Sequence, residues 1–178
     1  APDARLKIVE CSMKEKSGIV LSSLTGGIAL DSTKVSLPRM TLTTPDSNVE
    51  MECDMDLNAF DVKNPGKVYL RFFAEIGKQD VMRFAGDMPQ QFIMRYPNHP
   101  ISVRLSLNGN MNHARISAFD VSLPTAFKLN AEGYAVNPTD IKRMKAEMRL
   151  RGTTYNIGFL TALAPMPSNI HIPSGITL

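Results

Sequence analysis

Four carboxylates at alternate positions of one short stretch are the residues best placed to do chemistry. They are Glu50, Glu52, Asp54 and Asp56. If the stretch is a strand, side chains at i and i+2 share one face and lie about 6.6 Å apart. Two carboxyl groups at such a distance could serve a glycosidase, and a cluster of carboxylate oxygens could hold a metal ion.

A strand face in water explains these carboxylates better than a catalytic cleft does. Four like charges in a desolvated site would be costly, because each opposes the ionisation of the others. No histidine or glycine-rich loop accompanies them. Basic faces of other strands could pair with them instead, either Lys67 and Arg71 or Lys145 and Arg149. We therefore expect a solvated acidic face and a protein that is not an enzyme.

No other motif points to catalysis or to a cofactor. His99, His113 and His171 are scattered and lack the spacing of zinc ligands. The chain has no phosphate-binding loop, no dinucleotide fingerprint and no nucleophile elbow. Cys11 and Cys53 both fall on apolar stripes, which predicts buried thiols or one bridge between them. We expect no cofactor and no metal.

The composition is that of a folded domain and argues against two classes of protein. Of the 178 residues, 43% are hydrophobic, and the net charge is only +3. The densest basic run, at residues 142–151, lacks the interleaved aromatic residues of a single-strand binder, so we expect no nucleic acid as a partner. No run of about 18 apolar residues is present, so we expect no transmembrane span.

Strands are the elements that must position these side chains, and residues 48–57 show the pattern most clearly. One face of that stretch carries the carboxylates, and the other is apolar. The apolar residues are Val49, Met51, Cys53, Met55 and Leu57. About ten similar stretches separated by turn signals predict a largely antiparallel all-β fold. Phase slips near residues 8–9 and 118–119 predict bulges, and Pro38 predicts an edge strand or a bend.

The period changes from two to a helical one in a single short insert. Between residues 80 and 96, apolar side chains recur at helical spacing. Asp80 is placed to cap a first helix, Gly86 to end it, and Pro89 to start a second. Elsewhere we expect strands, including one over residues 155–163.

A weak internal repeat organises the strands. Leu42-x-x-Pro45, a strand, Asn64-Pro65 and another strand are paralleled by Val121-x-x-Pro124, a strand, Asn137-Pro138 and another strand. Both copies consist of short antiparallel strands, so the period marks stacked hairpins rather than separate domains. We expect one β-rich segment over residues 1–178, with repeats at about 19–76 and 101–163 and the start of another at 164–178.

The recurring apolar face could be sealed or open. Two sheets packed face to face would bury it as the core of a sandwich. A curved sheet that does not close would leave an apolar groove able to shield acyl chains. Composition and periodicity do not separate these alternatives. The residues expected to line such a groove are Val49, Met51, Met55, Leu57, Val68, Leu70, Phe72, Val103, Leu105, Leu107, Phe127, Leu129, Met148 and Leu150.

Two long stretches resemble a known family. Residues 17–57, SGIVLSSLTGGIALDSTKVSLPRMTLTTPDSNVEMECDMDL, and residues 101–140, ISVRLSLNGNMNHARISAFDVSLPTAFKLNAEGYAVNPTD, are similar to the repeating phrase of the AsmA-like and TamB (translocation and assembly module) proteins. In that phrase a glycine turn leads through Leu-x-x-Pro into a long alternating strand. The final IHIPSGITL resembles the start of a further copy. The helical insert departs from the family's pure β repeat.

The resemblance implies a fold, a location and a function. The fold is an all-β, curved antiparallel sheet, either a β-taco-like groove or an open sandwich, with a short helical insert near residues 80–96. The segment would lie in the periplasm, within a larger envelope protein anchored in the inner membrane. Its function would be non-enzymatic, in phospholipid transport or outer-membrane biogenesis. Its partners would be phospholipid acyl chains or another hydrophobic ligand, and an outer-membrane assembly protein.

Two other functions remain open. A closed β-sandwich could serve as an interaction module that recruits a protein partner by strand addition at an exposed edge. A carbohydrate-active domain could use the acidic strand at residues 50–56. The first predicts a filled interior, and the second predicts that activity depends on Glu50 or Asp54.

Overall fold

One open sheet contains all the strands of the described residues. The structure, a computed structural model, describes residues 3–14, 20–61, 63–137 and 143–163. Nine strands in these ranges pair in sequence order, each antiparallel to the next. The strands are β1 (Ala4–Lys14), β2 (Val20–Leu30), β3 (Lys34–Thr43), β4 (Asn48–Asp56), β5 (Lys67–Ile76), β6 (Ile101–Asn110), β7 (His113–Leu123), β8 (Phe127–Val136) and β9 (Lys145–Thr154). The predicted all-β antiparallel class is confirmed.

Tight turns join β2 to β3, β3 to β4, β6 to β7 and β7 to β8, and these strands are neighbours in the sheet. Between β2 and β3, Asp31 Oδ1 accepts hydrogen bonds from the backbone N–H groups of Thr33 and Lys34, at 2.7 and 2.9 Å. Between β6 and β7, Asn110 Oδ1 accepts from the backbone of Asn112 at 2.9 Å. Short polar side chains of this kind stabilise turns by binding the backbone a few residues ahead.

Three bulges interrupt the register where the sequence predicts irregularities. β1 shifts between Ile8 and Cys11, β3 shifts around Pro38, and β7 shifts between Ile116 and Phe119. Because β3 lies inside the sheet, Pro38 marks a bend and not an edge. A bulge places two residues opposite one, so it bends the strand and restores the apolar residues beyond it to the same face.

Gly26 and Gly27 lie within β2 and not at a turn, although paired glycines are a common turn signal. A side chain at Gly26 would stand 2.7 Å from the carbonyl oxygen of Arg39 on the neighbouring strand. The glycine therefore permits a close approach of β2 to the bulge of β3 rather than a reversal of the chain.

Two short helices between β5 and β6 confirm the helical insert. They are α1 (Lys78–Phe84) and α2 (Gln90–Arg95). Gly86, with φ of +71°, follows the end of α1, and Pro89 precedes α2, as predicted. The capping role expected for Asp80 is wrong, because α1 begins one turn earlier, with Gly77 at the N-cap. Among the described residues, no helix is both long and apolar enough to cross a membrane.

A 3₁₀ helix replaces the strand expected at residues 155–163. β9 continues to Thr154, and the chain then forms the helix Gly158–Ala162. Phe159 of this helix enters an aromatic cluster with Phe92 and Tyr96 of the insert, at ring-centroid distances of 5.4–5.6 Å. The helix thus forms where a large buried side chain secures it. The further repeat expected at 164–178 lies outside the described residues.

Candidate functional site

The register of the sheet joins apolar residues of seven strands into continuous rows. Directly opposed residues on neighbouring strands point to the same face. One row runs from β3 to β9 through Met40, Met51, Phe72, Leu105, Phe119, Ala131 and Leu150. We call the face that contains this row the apolar face.

Three parallel rows complete the apolar face. The first contains Leu42, Val49, Ala74, Val103, Val121, Leu129 and Gly152. The second contains Leu37, Cys53, Leu70, Leu107, Ile116, Gly133 and Met148. The third contains Val35, Met55, Val68, Gly109, Ala114, Ala135 and Ala146. Twelve of the fourteen residues expected to line a groove lie in these four rows.

Two of the expected lining residues lie elsewhere. Leu57 is in the turn after β4, with 52% of its surface exposed, and its backbone N–H donates to the carbonyl of Thr33 at 2.8 Å. Phe127 begins β8 and packs against the buried aromatic cluster, so it belongs to the sealed end of the sheet. Both positions follow the local alternation, but each lies beyond the end of the rows.

Several residues of the rows were absent from the expected lining, above all those of β3 and β7. Met40 and Leu42 follow the bulge of β3, and Phe119 and Val121 follow that of β7. The alternation that could have identified them changes phase at each bulge. These four residues lie in the same rows as the lining residues that the sequence predicts on β4, β5, β6 and β8.

The apolar face is only half-buried over most of its area. Side chains along β4, β5 and β6 are largely intermediate in exposure, while Met148 and Leu150 on β9 are 40% and 52% exposed. The buried positions of the rows are Val68, Ala74, Ala114, Ala131 and Ala135. The described strands form one sheet, with no second sheet stacked on this face. Such a surface is available to a hydrophobic ligand.

The opposite face carries ion pairs between neighbouring strands. Arg39 Nη2 lies 3.1 Å from Glu50 Oε2, and Arg71 Nη1 lies 3.5 Å from Glu52 Oε2. The expected pairing with Arg71 is therefore present, but Arg149 pairs with Glu132 on β8 instead, at 3.3 Å. These groups are exposed, so each pair contributes at most about 1 kcal/mol. We call this the charged face.

Neither the four carboxylates of β4 nor the described histidines belong to a metal-binding group. Among the described residues, no group of three His, Cys, Asp or Glu side chains is placed to hold a metal ion. On the charged face, His113 stacks on Tyr134 at 5.4 Å. The Tyr134 hydroxyl donates to the Glu147 carboxylate, and this hydrogen bond raises the pKa of Tyr134. His171 lies outside the described residues.

The two cysteines are unpaired and differ in exposure. Cys11 is exposed on β1, contrary to the expectation of a buried thiol, whereas Cys53 is half-buried on β4. Burial raises the pKa of the Cys53 thiol, with a smaller contribution from the charge of Asp54. The two strands are three strand spacings apart, or roughly 14 Å. A bridge between Cys11 and Cys53 is therefore excluded by distance.

A buried carboxylate attaches the helical insert to the sheet. Asp80 is 3% exposed, and its Oδ2 accepts hydrogen bonds from the hydroxyls of Thr44 and of Ser47, the latter at 2.6 Å. Its Oδ1 accepts from Arg83 Nη1 at 3.1 Å. Burial alone would raise the pKa of Asp80, but these hydrogen bonds and the charge of Arg83 outweigh it, so the pKa is lowered.

The turn between β3 and β4 also binds the start of α1. Asp46 Oδ2 accepts a hydrogen bond from the backbone N–H of Gln79 at 2.8 Å, and Ser47 Oγ accepts from that of Gly77 at 3.1 Å. A side chain at Gly77 would collide with the Asp46 carboxylate. The first turn of α1 is therefore capped by the β3–β4 turn and not by its own residues.

The fold and its two faces define a class: an open antiparallel sheet with one apolar face, one charged face and a helical cap at one end. Comparison of the chain with protein-family models, curated proteins and solved structures finds no match. The geometry of the two faces and of the edges therefore carries the functional argument.

Proposed function

We propose that this protein is a periplasmic segment of an AsmA- or TamB-like envelope protein and offers its apolar face to phospholipid acyl chains. The observation that carries the proposal is the set of four apolar rows across seven strands, in which most side chains are half-exposed. Shielding acyl chains there would gain about 0.8 kcal/mol for each methylene removed from water. The role would be in phospholipid transport or outer-membrane biogenesis, without catalysis.

The dimensions of the face support this proposal. Seven strands span six strand spacings, which is about 29 Å at 4.8 Å per spacing. An acyl chain occupies one leaflet, or about half of the roughly 30 Å hydrocarbon core of a bilayer. Each row is therefore longer than one acyl chain, and adjacent rows could shield the second chain of the same lipid.

The test compares the two faces by site-specific crosslinking. Photo-crosslinking residues are placed at Met51 and Leu105 on the apolar face, and at Glu52 and Ser106, their immediate neighbours on the charged face. The protein is purified natively, and bound phospholipid is measured by mass spectrometry before and after irradiation. We expect lipid adducts at the first pair and not at the second. Absence of lipid, or equal labelling of both faces, would refute the proposal.

A protein partner is the second candidate, supported by the edges of the sheet. Within the described residues, β1 and β9 each pair on one side only. The described strands form one sheet, so a partner would be recruited through an edge strand and not through a closed sandwich.

A further inference from the structure

Among the described strands, β9 is a regular and exposed edge. It pairs with β8 through ten consecutive residues without a register shift, and no other described strand pairs with it. Seven consecutive residues of β9, from Lys145 to Arg151, are exposed, so both faces of the strand are open to solvent. A straight edge of this kind is a template for a further strand.

The charged face of β9 has a surplus of positive charge. Glu147 accepts the hydrogen bond from Tyr134, and Arg149 pairs with Glu132 on β8. Lys145 and Arg151 are left, and neither has an ion-pair partner in the part of the chain that the structure describes. These two cations lie six residues apart on the same face of the strand.

Inside the sheet, an acidic strand pairs with arginines of its neighbours. β4 carries four carboxylates on the charged face, and its neighbours supply Arg39 and Arg71 to them. Glu50 and Asp56 are six residues apart, the same separation as Lys145 and Arg151. An antiparallel strand like β4 beside β9 would therefore place a carboxylate opposite each free cation.

We propose that the β9 edge binds an extended acidic segment of a partner protein by strand addition. Carboxylates of this segment alternate with apolar side chains, which extend the rows that end at Met148 and Leu150.

A second copy of this chain is a poor occupant, because its β9 edge carries the same cations, Lys145 and Arg151. Its β1 edge carries Lys7 and Arg5, of which only Arg5 has an ion-pair partner, Asp3 at 3.8 Å, among the described residues. β1 is also interrupted by two register shifts, which protect an edge from pairing.

A peptide with the sequence of residues 48–57, with serine in place of Cys53, is the probe. Its binding to the whole chain is followed by fluorescence anisotropy. The double substitution Lys145→Glu and Arg151→Glu should weaken binding by tenfold or more. The matched control, Arg5→Glu and Lys7→Glu on β1, makes the same change in net charge and should leave binding within twofold. A peptide with amides in place of its four carboxylates should bind at least tenfold more weakly.

Hydrogen exchange distinguishes strand addition from general electrostatic attraction. The acidic peptide should slow exchange of backbone amides in β9 and not in β1. If the β9 double variant does not fold, the single substitution Arg151→Gln replaces it, with an expected loss of about threefold. Absence of binding, equal effects of the two double variants, or absence of protection in β9 would overturn the proposal. The basic residues of β9 would then serve only to prevent edge pairing.

Discussion

The helical end of the sheet and the four apolar rows differ in how far their side chains are buried. At the helical end, α1, α2 and the 3₁₀ helix cover a cluster of Phe92, Tyr96, Leu123, Ala126 and Phe159, all nearly inaccessible to solvent. Along the four rows, comparable side chains remain half-exposed. Burial stabilises in proportion to the area removed from water. We infer that the helical end supplies tertiary stability out of proportion to its size, and that the rows keep surface available for a ligand.

Leu123→Ala should have the largest effect on this contrast. Leu123 is 1% exposed and belongs to this buried cluster, so its truncation leaves a cavity among buried neighbours. We expect a loss of about 2–5 kcal/mol in the free energy of unfolding, measured by urea denaturation. Leu105→Ala in the half-exposed row is the matched control and should cost clearly less. Equal losses would mean that the rows are as well packed as the cluster.

Asp80→Asn should have the second largest effect, since it weakens the attachment of the insert to the sheet. The substitution removes the negative charge that pairs with Arg83. It also replaces one carboxylate oxygen with an NH₂ group, which cannot accept the hydrogen bonds that the Thr44 and Ser47 hydroxyls donate. We expect a loss of about 1–3 kcal/mol in the free energy of unfolding at pH 7. Asp87→Asn, on an exposed carboxylate of the same insert, should have no measurable effect. A similar loss in both variants would contradict the role of Asp80.

The same carboxylate makes the stability depend on pH in a defined direction. The folded state lowers the pKa of Asp80 below its ordinary value of 3.8. Its contribution is therefore complete above that value and is lost as the pH falls through the lower folded pKa. The difference in unfolding free energy between wild type and Asp80→Asn should shrink on acidification below pH 3.8. A difference that grows below pH 3.8 would show that folding raises the pKa of Asp80 instead of lowering it.

Period-two alternation made the sheet and its polarity predictable. Alternation is a local property of the strand, so twelve of the fourteen expected lining residues fall in the four rows. The change to a helical period revealed the insert for the same reason. The phase slips also located the bulges of β1 and β7, because a bulge shifts the alternation by one residue.

Features that depend on contacts between residues far apart in sequence could not be predicted from local alternation. The partners of Asp80 lie 33 and 36 residues earlier, so the carboxylate looked like a helix cap. The 3₁₀ helix Gly158–Ala162 depends on Phe159 packing against the insert, which local spacing does not show. The adjacent glycines 26 and 27 form a common turn signal, whereas Gly26 permits a close approach to β3. In each case the decisive contact is between elements far apart in sequence.

Tyr96→Phe should have a smaller effect, and of the opposite sign. The Tyr96 hydroxyl is buried without a hydrogen-bond partner among the described residues, and burial raises its pKa. Removing an unsatisfied polar group relieves its desolvation cost and keeps the ring contacts with Phe92 and Phe159. We expect unfolding free energy to be unchanged or to rise by up to about 1 kcal/mol in urea denaturation. A loss above 1 kcal/mol would show that the hydroxyl is satisfied.

The smallest effect on stability is expected where the rows reach β9. Met148→Gln and Leu150→Gln replace side chains that are already 40% and 52% exposed, so each should change the unfolding free energy by no more than about 0.5 kcal/mol. The same substitutions should lower the amount of co-purifying phospholipid, because they place amides at the end of two rows. Arg149→Gln, between them on the charged face, is the matched control and should leave bound lipid unchanged. If the variants lose stability but not lipid, Met148 and Leu150 contribute to the packing of the sheet and not to lipid binding. If they lose lipid at constant stability, the rows bind the ligand while the helical end stabilises the fold.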